Sequence, residues 1–235
     1  MAALVLLPAA QAAAAGEAAT VERCLSSAAR LDLGAPLAHT RALLRQSRAI
    51  TIVTLGSSSS VGFGTFDPSY PQVLKAELLR QHPELRVTMV SSGRVGEAIP
   101  GNVARLDGDV LRFRPDLVIW QLGTNDVLWH GVATNTEALV RGAVRRLKQA
   151  QSDVILMDLQ YAPALRQLPA TPAMEKLIAA VAHSENVGLF SRFALMKQAA
   201  KNGVDDLVGW DGLHNSGAAY RCIGLALAHM IDREP

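Results

Sequence analysis

Charge of one sign is what this sequence lacks first: 23 Lys and Arg stand against 21 Asp and Glu, a formal +2 over 235 residues. Without a basic excess, a poly-Lys run or an acidic tail, it has no electrostatic footprint for nucleic acid or another polyanion. Aromatic residues are 5% of the chain, too few to announce a stacking platform for sugars or single-stranded nucleic acid. No His-Glu-x-x-His or Cys-x-x-Cys spacing occurs, so neither a zinc site nor any other cofactor is expected. His39, His82, His130, His183 and His229 therefore read as surface or structural histidines.

Long apolar runs are also missing. Met1–Ala15, MAALVLLPAAQAAAA, is too short to cross a bilayer as a helix. It ends in small residues, and Ala10-Gln11-Ala12 has the small-x-small form of a signal-peptidase site, although no basic residues precede the apolar stretch. Residues 1–19 are accordingly expected to be a leader and residues 20–235 a single domain, periplasmic or secreted, with no stable membrane insertion once the leader is removed. The two cysteines, Cys24 and Cys222, bear on the same point. In the cytosol they would be two buried thiols; in an exported protein they invite a disulfide joining the two ends of the domain.

What the sequence does have is an alternation of apolar β-branched runs with stretches of helical periodicity. Strands are expected at 49–55, 86–90, 116–122, 154–158 and 187–190. Helices are expected at 20–48 (interrupted near Gly34-Ala35-Pro36), 70–81, 102–112, 134–151, 173–184, 193–201 and 216–231. Such alternation implies βαβ units, hence a five-stranded parallel sheet covered on both faces: a flavodoxin-like three-layer α/β/α sandwich. Ligands of such folds bind beyond the carboxyl ends of the strands.

The segments at those ends are polar or glycine-rich: Gly56-Ser57-Ser58-Ser59-Ser60-Val61-Gly62, Ser91-Ser92-Gly93-Arg94-Val95-Gly96 and Gly123-Thr124-Asn125-Asp126. Asp211-Gly212-Leu213-His214 lies near the C-terminus. Singly, each is an ordinary turn or helix cap. Together they supply the parts of acyl transfer. Ser58 would be the nucleophile, with Ser59 as the alternative in the serine run. His214 would be its base and Asp211 the group that orients the imidazole. The backbone N–H groups of Ser58 and Gly96 and the side-chain amide of Asn125 would be oxyanion donors. Trp129, His130 and Tyr161 are candidate pocket residues, each with packing or a plain loop as its alternative. Trp210 is expected to pack beneath the Asp211 turn.

These blocks resemble those of the SGNH hydrolases, the GDSL esterase/lipase family. Gly56–Gly62 matches that family's first block with Ser58 at the nucleophile position. Gly96 falls on its oxyanion glycine, Gly123–Asp126 is its third block without departure, and Asp211–His214 is its fifth. The blocks span most of the chain, and the third and fifth are the specific ones. The resemblance implies a flavodoxin-like fold and metal-free ester hydrolysis by a Ser-His-Asp triad. Two positions depart from the pattern: Ser57 stands where the family has Asp, and Ser91 where it has Asn. The first departure leaves the nucleophile loop without a neighbouring carboxylate.

Other readings fit less well. The first loop has neither the Gly-x-Gly-x-x-Gly nor the Gly-Lys-Ser/Thr of a nucleotide site. Ser60 stands where the Gly-x-Ser-x-Gly elbow of α/β-hydrolases needs glycine. An acyltransferase passing the acyl group to an alcohol, or a non-catalytic binding protein keeping the fold, remains open. The expected activity is hydrolysis of small-molecule or glycan esters with short acyl groups.

Overall fold

The computed structural model describes residues 9–28, 31–204 and 206–233. Of the expected leader, residues 1–8 lie outside the described residues, and Ala9 onward belongs to helix Ala9–Ala28. No helix among the described residues is long and apolar enough to cross a membrane.

Five parallel strands form one sheet: β1 (Ala49–Gly56), β2 (Arg86–Gly93), β3 (Leu117–Gln121), β4 (Asp153–Met157) and β5 (Gly188–Phe190), in the order β2-β1-β3-β4-β5. This is the flavodoxin-like order, whose switch point lies between β1 and β3. The runs that form strands are apolar on both faces because both faces are covered. In β3, Leu117 and Ile119 enter one core and Val118 and Trp120 the other, as the two-residue side-chain period requires. Helices Ala9–Ala28, Tyr70–Gln81, Arg192–Lys201 and Gly217–Asp232 cover the first face. Helices Thr136–Gln149 and Ala170–Glu185, with the segment from Ile99 to Phe113, cover the second.

Two regions can be set against expectation. The first is two helices, Ala9–Ala28 and Ala38–Arg45, with the expected interruption between them; it differs in starting at Ala9 and in ending its first helix at Ala28, and the second helix begins after Pro36 and the left-handed Leu37 (φ 42°). The segment expected as one helix over 102–112 is three short pieces, Ile99–Ala104, Leu106–Asp109 and a 3-10 turn at Leu111–Phe113. Gly101 and Gly108 weaken this stretch, and the side chains of Asn102 and Arg105 are turned inward to polar partners.

Cys24 and Cys222 form a disulfide with a Cα–Cα distance of 5.9 Å, tying helix Ala9–Ala28 to helix Gly217–Asp232. Chain-entropy reasoning gives a loop this long about 4–5 kcal/mol of stabilisation. Unreduced protein is expected to have an intact mass two hydrogens below that of the reduced form. The double Cys→Ala variant is expected to lose about 4 kcal/mol in urea unfolding. Alkylation of both thiols without reductant would contradict the bridge.

Candidate active site

The register of the sheet brings the first two loops together. Gly56, the last residue of β1, pairs with Gly93, the last of β2. A Cβ on Gly93 would stand 2.8 Å from the Ser57 carbonyl oxygen and 2.9 Å from Ser60 Cβ, so glycine is required for this approach. The chain then enters the short helix Ser58–Val61. Ser57, in place of a carboxylate, points its backbone N–H and its hydroxyl at Gln121 Oε1, 2.9 Å from each. Ser91 donates its hydroxyl to the Ser60 carbonyl at 3.0 Å. Both departures from the family pattern are therefore hydrogen-bonded struts, and neither leaves the nucleophile loop unsupported.

Ser58 Oγ lies 3.0 Å from His214 Nε2, and His214 Nδ1 lies 2.5 Å from Asp211 Oδ2. The carboxylate accepts at Nδ1, which places the imidazole proton there and leaves Nε2 free to accept from Ser58. The other Asp211 oxygen accepts from the Leu213 and His214 N–H groups at 3.0 and 2.9 Å. Burial alone would push the Asp211 carboxyl up; the hydrogen bonds from the His214 ring and from these two amides outweigh it and hold the group below the usual carboxylate range. The turn closes with Gly209 N–H donating to the His214 carbonyl at 2.7 Å. Phe63 packs on the imidazole with ring centroids 4.6 Å apart. Gly64 passes so close that a Cβ there would meet His214 Cβ at 2.8 Å.

Ser59, the alternative nucleophile, is buried, and the Tyr220 phenol donates to the Phe63 carbonyl at 2.9 Å. Only Ser58 of the serine run is paired with His214.

Gly96 occupies the third position of a turn closed by Glu97 N–H donating to the Arg94 carbonyl at 3.1 Å. Its φ of +77° is one that glycine adopts without strain, and a Cβ built on it would meet nothing within 4 Å, so its surroundings are open. Asn125 donates one Nδ2 hydrogen to the Glu97 carbonyl at 2.8 Å, which joins the third block to this turn. Asp126 accepts from Ile99 N–H at 3.2 Å through both oxygens, and burial pushes its carboxyl up. Arg105 braces the same turn from below. It bonds Glu97 Oε2 at 2.6 Å and the Ser92 carbonyl at 2.5 Å, and reaches the Gly56 carbonyl at 3.3 Å.

The pocket candidates divide. Tyr161 packs edge-on against Phe193 at 5.1 Å and accepts from Arg166 at 3.0 Å, so packing accounts for it. His130 is exposed. Trp210 does not pack beneath the turn: it is 96% exposed, because the tight Asp211–His214 turn directs its neighbour outward. Trp129, Phe63, Phe66 and Val95 are also exposed, and each lies within a few residues of Asn125, Ser58 or Gly96 in the chain. Among these, Phe63 lies against the His214 ring.

Sequence reasoning missed the buried polar supports. Gln121, Asp158, Gln160 and Arg192 are buried, and each sits at or just beyond the end of a strand. A polar residue ending an otherwise apolar run was the available signal. Burial pushes the Asp158 carboxyl up to about 6 and the Arg192 guanidinium down to about 10.

Comparison with known proteins bears on the family and the fold. Residues 13–234 match the sequence model of the Non-GDSL lipase-like family. A curated acetylxylan esterase from Geobacillus stearothermophilus is 25% identical over 186 residues, covering 73% of this chain and 84% of that protein. A crystal structure of that organism's acetylxylan esterase superposes with a TM-score of 0.68 at 23% identity, covering 79% of this chain and 95% of that one. A lipase/acylhydrolase from Enterococcus faecalis does so with a TM-score of 0.68 at 22% identity, covering 78% and 95%.

Proposed function

The chain belongs to the Non-GDSL lipase-like family, and from that premise we propose that it is a carboxylic ester hydrolase working through an acyl-serine on Ser58. The observation that carries this reading is the continuous line from Asp211 Oδ2 through the His214 ring to Ser58 Oγ, with steps of 2.5 and 3.0 Å. In the first step Ser58 Oγ attacks the ester carbonyl and its proton passes to His214 Nε2. The tetrahedral oxyanion is held by Ser58 N–H, Gly96 N–H and the second Nδ2 hydrogen of Asn125. Collapse breaks the bond to the alcohol, which leaves with the proton from His214. Water, deprotonated by the same imidazole, then cleaves the acyl-enzyme to release the acid.

The substrate we favour is a short acyl ester, with acetyl first, of a small or carbohydrate alcohol. Support comes from the acetylxylan esterase relative and from the exposed Phe63 on the His214 ring and the exposed Trp210 beside Asp211 in the chain, faces on which an alcohol with an apolar side could rest. The Cys24–Cys222 bridge supports an oxidising compartment, periplasmic or extracellular. The test is a series of initial rates on p-nitrophenyl acetate, butyrate and octanoate, alongside acetate release from acetylated xylo-oligosaccharides. Acetate esters are expected to lead the series. A preference for octanoate would refute the short-acyl assignment, and no turnover of any ester by folded protein would refute the reaction.

Asn125→Ala is expected to lower kcat about 10²–10³-fold, as loss of one oxyanion donor does elsewhere. Loss of its bond to the Glu97 carbonyl contributes by loosening the Gly96 turn. A normal kcat on p-nitrophenyl acetate would remove Asn125 from the oxyanion site.

A further inference from the structure

One buried side chain outside the reacting set touches both halves of the site. Gln160 follows β4 and is 1% exposed. Its Oε1 accepts from Arg192 Nη2 at 2.8 Å and from Thr124 Oγ1 at 2.9 Å. Its Nε2 donates to the Leu213 carbonyl at 3.2 Å. Arg192 has only donors, so the oxygen of the amide must face it and the nitrogen must face Leu213. Arg192 is fixed in turn by its Nε, which donates to the Asp158 carbonyl at 3.1 Å.

The peptide unit that receives this bond is the one joining Leu213 to His214. Its carbonyl accepts from Gln160, and its N–H donates to Asp211 Oδ1 at 2.9 Å. Both polar ends of one peptide plane are held, and that plane sets where His214 Cα stands. Thr124, the other ligand of Gln160 Oε1, directly precedes Asn125.

We infer that Gln160 is a positioning residue, a clamp that fixes the Leu213–His214 peptide and keeps the His214 imidazole in register with Ser58 and with the Asn125 block. A carboxylate at this position would satisfy Arg192 and Thr124 but would turn an acceptor toward the Leu213 carbonyl. A hydrocarbon would satisfy none of the three. The clamp needs an amide.

The inference rests on the esterase reading, and its test separates the two. Gln160→Glu keeps the volume and the acceptor for Arg192 while removing the Nε2 donor. Its kcat on p-nitrophenyl acetate is expected to fall about 10²-fold, the scale of a displacement of about 1 Å in a reacting group. KM is expected to stay within about a factor of two, because the alcohol and acyl contacts are untouched. In resting protein, the low-field resonance of the His214 Nδ1 proton is expected to shift or broaden in the variant, a change that does not depend on turnover. If Gln160→Glu does not fold, Thr124→Val removes one of the two donors steering the amide and is expected to lower kcat about five- to tenfold at unchanged KM. Folded Gln160→Glu with wild-type kcat and an unmoved resonance, or Thr124→Val with wild-type kcat, would overturn the clamp. A wild-type protein that shows the resonance but hydrolyses no ester would instead overturn the reaction.

Discussion

Ser58→Ala is expected to lower kcat by about 10⁶-fold, the scale seen when a serine nucleophile is removed from a triad. The substitution removes one oxygen from a side chain that is 6% exposed, and the lost hydrogen bond to His214 costs the fold about 1 kcal/mol at most. Structure and reaction should therefore separate cleanly. Circular dichroism and the urea midpoint should stay close to wild type while p-nitrophenyl acetate turnover drops to background. Ser59→Ala, at a buried hydroxyl that is not paired with His214, should leave a measurable rate. Retained activity in Ser58→Ala would transfer the nucleophile to another residue.

Asp211→Asn is the second large effect, and its cause is legible in the hydrogen bonds. Asp211 Oδ1 accepts from two backbone N–H groups, at 3.0 and 2.9 Å. An asparagine oxygen would take that place, because an NH₂ group there would face two donors. The amide nitrogen would then stand where Oδ2 stands, donating to His214 Nδ1. The imidazole proton would be driven to Nε2, the nitrogen that must accept from Ser58. The expected loss in kcat is about 10⁴-fold with the fold retained. A loss below about tenfold would show that Asp211 does not set the tautomer. Asp211 is held below the usual carboxylate range, so in mildly acid solution it should stay ionised and keep the imidazole proton at Nδ1.

The fold is readable because a parallel sheet covered on both faces leaves short, continuous apolar runs of strand length, as at 49–55, 154–158 and 187–190. Helix Tyr70–Gln81 was also plain, between the Ser69-Tyr70-Pro71 start and Pro83. The 102–112 segment misled because its periodicity is helical while the inward-turned Arg105 and Asn102 break the helix to support Glu97. The structure brings Ser58, Asp211 and His214 together because strand ends and one four-residue turn carry them, and both are local features. Gln121, Gln160 and Arg192 were not legible. Their importance lies in partners 32 to 64 residues away, which a single sequence does not pair. Trp210 differs for a related reason: an apolar side chain before a tight turn is expected to pack beneath it, but Trp210 is exposed.

The central claim is that Ser58 is the activated hydroxyl, and a fluorophosphonate tests it most directly. The probe requires an activated nucleophile and no knowledge of the natural ester. Folded, unreduced protein would be treated with the probe, weighed intact, then digested and mapped. The account predicts one adduct per chain on Ser58, absent from Ser58→Ala and formed far more slowly in Asp211→Asn. An adduct on Ser59 or Ser60, or none at all on folded protein, would contradict it.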